Sequence, residues 1–131
     1  MLGLDTNVLV RFLVQDDQAQ FERAQKIISR ESRTGGGVLI GLLVLLETEW
    51  VLRSRYSLTK AEILAAFSGL LASAELRFED EHSIESALFV WKDSAADFAD
   101  CLNGARHRAL GCRATASFDA KAVKLPGFVA A

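Results

Sequence analysis

The strongest constraint on this chain is an alternation: short apolar runs of strand length are separated by longer stretches whose apolar residues recur at helical spacing. Met1–Leu4, Val38–Leu42, Glu75–Glu79 and Cys112–Phe118 read as strands, and most of the chain between them as helix. Parallel neighbours need a crossover of helix length, so this order predicts an α/β fold, a parallel sheet covered by helices on both faces. With 131 residues, one continuous core is expected, and residues 1–131 read as a single domain.

The first run meets a polar turn at Asp5, Thr6 and Asn7, and apolar residues resume at Val8, Leu9 and Val10, as a buried strand passing into a helix would. From Asp17, the residues Phe21, Ala24, Ile27 and Ile28 take helical spacing up to a loop at 34–37. The helix after Val38–Leu42 is expected to carry Leu43, Leu46, Glu47, Trp50 and Val51, with Arg53, Arg55 and Tyr56 closing it. Thr59 and Glu62 have the form of a capping box, in which each side chain satisfies an orphan backbone donor, and Ile63, Phe67 and Leu70 follow on one face. Asp80 is placed to cap a helix with a buried stripe of Ile84, Ala87, Leu88 and Trp91. Ser94–Ala109 reads as the last helix, ended by Gly111.

On that last helix, Phe98, Cys101, Leu102, Ala105 and Ala109 fall on one side at about 100° per residue. Asp97 and Asp100 lie on its flank, with Gly104 one turn beyond, expected to leave the space above them open. Ligands of open α/β sheets collect at the carboxyl ends of the strands. Asp5 ends the first strand and Asp119 the last, Glu47 lies one turn into a helix, and Asp100 stands near the start of another, so all four are expected at one sheet edge.

Each acid also has a structural reading. Asp5 fits a helix cap, Asp119 a turn, and Asp97 a capping pair with Ser94. Glu47 is embedded in an apolar stretch where a lone carboxylate is costly, which favours a functional role, whereas Glu49 reads as a solvated surface charge. Ser117, Thr6 and Asn7 offer polar groups that can bind a ligand or hold a neighbouring carboxylate.

Several carboxylates without histidine or cysteine suit a hard cation, Mg²⁺ or Mn²⁺, which can lower the pKa of a bound water for attack on phosphorus. His82 and His107 read as solvated helix residues and Cys101 as packing. The net charge of −2 provides no bulk attraction for a polyanion, so phosphates must be held locally. Arg53, Arg55, Arg106, Arg108, Lys121 and Lys124 follow the acids closely enough to do so, with ordinary helix-end charges as the alternative. Two cysteines make no disulfide framework, which points to a reducing cytoplasm. The longest apolar run, Val38–Leu46, falls far short of the roughly 20 residues a membrane helix needs, and no signal peptide is visible.

Asp5-Thr6-Asn7-Val8-Leu9, then Glu47 within Leu45-Leu46-Glu47-Thr48-Glu49-Trp50-Val51-Leu52, then Asp97-Phe98-Ala99-Asp100-Cys101-Leu102, then Ser117-Phe118-Asp119, resemble in order the PIN-domain family, and within it the VapC toxins. The resemblance spans nearly the whole chain. It implies a three-layer α/β/α sandwich with a central parallel sheet, and Mg²⁺- or Mn²⁺-dependent endoribonuclease activity. It also implies homodimerisation and inhibition by a VapB-type antitoxin. By the same resemblance Asp5, Glu47, Asp100 and Asp119 match the metal-binding acids, Asp97 is an additional acid, and Ser117 stands where threonine is common. A phosphatase with a nucleophilic first aspartate is a rival reading, but that chemistry wants a second acid where Asn7 stands. A PIN-like binding module without catalysis is the other.

Overall fold

The computed structural model describes residues 1–131, and every strand pair in it is parallel, as the α/β expectation requires. The chain forms two compact units, Met1–Glu79 and Asp80–Ala131.

The first unit runs β1 (Leu2–Gly3), α1 (Thr6–Val14), α2 (Gln18–Thr34), β2 (Val38–Ile40), α3 (Leu42–Ser54), α4 (Lys60–Ala72) and β3 (Leu76–Phe78). Its sheet has the order β1-β2-β3, with Leu2 opposite Val38 and Val38 opposite Leu76. The central strand is the most buried, with Val38 and Ile40 inaccessible. The first strand is exposed rather than buried, because β1 is an edge strand paired on one side only; Leu4, just beyond it, is the buried residue. Helix starts follow local chemistry: Asp17 Oδ1 accepts from Gln20 N at 3.1 Å, and Thr59 and Glu62 exchange bonds of 3.1 and 2.9 Å in the expected capping box. Helix α3 carries the expected residues but buries Leu45, Thr48, Glu49 and Leu52, leaving Leu43 and Trp50 facing outward.

The second unit runs α5 (Glu81–Lys92), α6 (Phe98–Ala109), β4 (Thr115–Ser117), a short 3-10 turn (Ala122–Lys124) and β5 (Phe128–Ala130). Asp80 caps α5 through Ser83 N, and the expected stripe Ile84, Ala87, Leu88 and Trp91 is buried. Trp91 packs on Phe98 of α6 with ring centroids 5.1 Å apart. Strand β5, which pairs with β4, gives no sequence signal, since three residues after a Pro-Gly are too few to show a period.

Helix α6 starts at Phe98, later than expected, because Ser94 Oγ accepts from Ala96 N at 2.9 Å and bends the chain before the helix begins. It buries Phe98, Cys101, Leu102 and Ala105, but Ala109 lies exposed in its last turn. Gly104 does not open space above the acids. A Cβ there would stand 2.5 Å from the Phe128 ring, so the missing side chain admits β5 instead. Gly111, at φ 90°, ends the helix as expected. No helix is long and apolar enough to cross a membrane.

Candidate functional site

The acids singled out in the sequence fall into two clusters, one in each unit. In the first unit, Asp5, Thr6, Asn7 and Glu47 line a pocket of about 450 Å³ together with Trp50, Arg55 and Tyr56. Asp5 follows β1 and is the N-cap of α1: its Oδ1 accepts from Thr6 N at 2.9 Å. Capping occupies that oxygen and leaves Oδ2 for another partner, so the two readings of Asp5 are compatible. Thr6 is buried with its hydroxyl unpartnered, an arrangement that costs free energy unless a ligand or neighbour completes it.

The roles expected of Glu47 and Glu49 by burial are reversed. Glu47 is exposed, and Glu49 is 3% exposed. The buried face of α3 advances in steps of three and four through Leu45, Thr48, Glu49 and Leu52, which turns Glu47 away from the core. Desolvation therefore bears on Glu49, whose carboxylate is met by Arg53 at 2.8 Å. Arg53, a candidate phosphate ligand from the sequence, is that partner. Trp50, one turn after Glu47, also lines the pocket, and its only signal in the sequence is the i, i+3 spacing that puts the two on one helix face.

In the second unit, Asp97, Asp100 and Asp119 line a pocket of about 240 Å³ with Ala120 and Lys121. Asp97 occupies the N-cap position of α6 with extended backbone (ψ 153°), but its side chain caps nothing. The expected Ser94–Asp97 capping pair is absent, because Ser94 is engaged with Ala96, and the Asp97 carboxylate stays exposed. Burial, and then the like charges of Asp97 and Asp119, push the Asp100 carboxyl above its ordinary range.

Asp119 Oδ1 accepts from Lys121 N at 2.8 Å and Ala122 N at 2.9 Å, and these bonds hold its carboxyl below the ordinary range. Ser117 Oγ accepts from Asp119 N at 3.0 Å, so it orients Asp119 through the backbone. Three carboxylates around one small pocket, one of them disfavoured as an anion by its neighbours, are a donor set suited to a hard cation. The side chains as they stand do not form a closed group of three or more metal ligands.

The remaining candidates serve the structure or stand at the surface. Arg106 pairs with Asp80 at 2.9 Å, and His107 Nδ1 lies 2.8 Å from Thr115 Oγ1, tying α6 to β4. Arg108 and His82 are exposed, and Cys101 is buried in the packing of α6.

A family model described as PIN domain matches residues 3–127. Among solved structures, the chain is similar to Mycobacterium tuberculosis VapC20, a sarcin-ricin loop cleaving toxin, at 20% identity and a TM-score of 0.44, over 100% of this chain and 98% of that one. No curated protein matches it.

Proposed function

The chain belongs to the PIN domain family, and from that membership we propose that it is a VapC-like toxin, a metal-dependent endoribonuclease formed by residues 1–131 as one PIN-like domain. The observation that carries this reading is the Asp97, Asp100 and Asp119 pocket, where like charges crowd a half-buried carboxylate in a way that a divalent cation would relieve. We assign Asp5, Glu47, Asp100 and Asp119 as the acids that hold Mg²⁺ or Mn²⁺, on their order in the chain and their place in the two pockets. When bound, the ion supplies an activated water and neutralises charge on the phosphoryl oxygens.

The protein's own groups prepare this arrangement. Ser117 and the turn N–H groups fix Asp119 and keep it anionic. Asp97, uncommitted to the helix, is an auxiliary acid beside Asp100, while Thr6 and Asn7 serve Asp5 in the other pocket. The same reading takes RNA as substrate, a VapB-type antitoxin as inhibitor, a homodimer as the working form and the cytoplasm as its place. The capping roles of Asp5 and Asp119 favour the second reading, a binding module whose acids are structural.

Incubation of purified protein with single-stranded RNA separates the two. Cleavage is expected with Mg²⁺ or Mn²⁺, none in EDTA, and none from Asp100→Asn with an unchanged circular dichroism spectrum. No cleavage by the wild type with either ion would favour the binding module, and cleavage surviving EDTA or the substitution would sink the metal-dependent reading and the role given to Asp100.

A further inference from the structure

We propose that the first-unit pocket is a subsite for one unpaired nucleotide, with the base against the Trp50 indole and the adjoining phosphate on the Arg55 guanidinium. The proposal rests on RNA as the substrate and names how it is gripped.

A pocket of about 450 Å³ is in the range that takes a small ligand, and its wall combines two aromatic residues, two arginines and two acids. The cations are not equivalent. Arg11 Nη1 lies 2.8 Å from Asp16 and 3.0 Å from the Tyr56 hydroxyl, while its Nε bonds Gln20, so both its charge and its geometry are committed. Tyr56 is held by the same cluster, donating to Asp16 at 3.1 Å. Arg55 is exposed and enters no ion pair or side-chain hydrogen bond, so it is the uncommitted positive charge beside Asp5 and Glu47. A phosphate brought near those two acids needs such a charge, because a protein of net charge −2 has no bulk field to offset their repulsion.

Trp50 is 50% exposed, an unusual placement for an indole on a helix whose other side is core. At that exposure the indole offers apolar surface to the pocket it lines. Exposed aromatics beside a cation are how proteins hold unstacked bases, and stacking of this kind tolerates any base. The buried, unpartnered Thr6 hydroxyl in the same wall is a polar group that a sugar or phosphate oxygen can satisfy. A duplex cannot offer its base faces to such a pocket, so the preference is for single strands.

The two tryptophans make the test direct, since Trp91 is 5% exposed and shielded from ligand. A single-stranded eight-nucleotide RNA of mixed sequence is titrated in EDTA, and again in Ca²⁺, while tryptophan emission and the anisotropy of a labelled copy are followed. Wild-type emission should be quenched by the single strand and not by the matching duplex. Trp50→Phe should lose the quench but keep the affinity, Trp50→Leu should bind about tenfold more weakly, and Arg55→Ala should weaken binding and flatten its salt dependence.

A quench that persists in Trp50→Phe, a Trp50→Leu variant that binds like wild type, or equal quenching by duplex would overturn the proposal. So would an emission shift that follows protein concentration alone, which would assign this face to a second copy of the chain. Cleavage of RNA without any quench would remove this subsite and leave the nuclease reading intact. Quenching without cleavage in Mg²⁺ would do the reverse.

Discussion

Asp100 is a carboxylate held in an environment that resists its charge, first through burial and then through Asp97 and Asp119. An acid whose folded pKa is raised binds more protons folded than unfolded between its ordinary value and the raised one. Stability therefore falls as pH rises through that window and stays lower above it. Asp100→Asn is accordingly expected to melt at a higher temperature than wild type at neutral pH, with the gain gone below the ordinary carboxylate range, by calorimetry at both pH values. Stability traded for a crowded acid is what a working site would show. The two glutamates of α3 offer a matched contrast. Glu47→Gln, at an exposed position, should change stability by less than about 0.5 kcal/mol yet abolish cleavage. Glu49→Gln should leave the chemistry alone and cost about 1–2 kcal/mol, reduced from the full value for a buried pair because Arg53 is half in solvent. Urea titrations and cleavage assays on both variants decide this, and the opposite pattern would restore the burial order expected from the sequence.

At the scale of elements, Asp80 joins two helices: it caps α5 through Ser83 and pairs with Arg106 of α6. These bonds, that to the Ser83 hydroxyl foremost, hold its carboxyl below the ordinary range. The stability it contributes is present above the unfolded pKa and is lost as pH falls through the folded one. Asp80→Ala should cost about 2 kcal/mol at neutral pH, against about 1 for Thr59→Ala, which removes a cap alone. Gly104 sets α6 against β5. Gly104→Ala gains about 1 kcal/mol of helix propensity but drives a methyl into the Phe128 ring, and overpacking of 1–3 kcal/mol should win. Combining it with Phe128→Leu should recover most of the loss; if the single variant is the more stable protein, the contact is not close.

For the whole molecule, the cations that stand at the pockets set how a polyanion is gripped. Arg11, Arg53 and Arg106 are each matched to an acid, while Arg55 and Lys121 line the two pockets without an ion pair. About two phosphate contacts imply a slope of log K against log salt of about −1 to −2 for a single strand. A much steeper slope in anisotropy titrations would mean that the surface at large, rather than the pockets, binds RNA.

The sequence by itself determined what depends on near neighbours: the parallel α/β class, the capping box at Thr59, the cap at Asp80, the stripe of α5 and the order of the four acids. Those features follow from bonds and periods within a turn or two of chain. Only the tertiary structure decided which side of α3, a helix with apolar residues all the way round, faces the core, and with it that Glu49 is buried and Glu47 exposed. It also decided that Gly104 makes room for Phe128, that Ser94 leaves Asp97 uncapped, and that Arg53 and Arg106 are spent on partners while Arg55 is not. Burial and charge pairing are properties of what packs against a residue, and no local spacing specifies a neighbour that arrives from elsewhere in the chain.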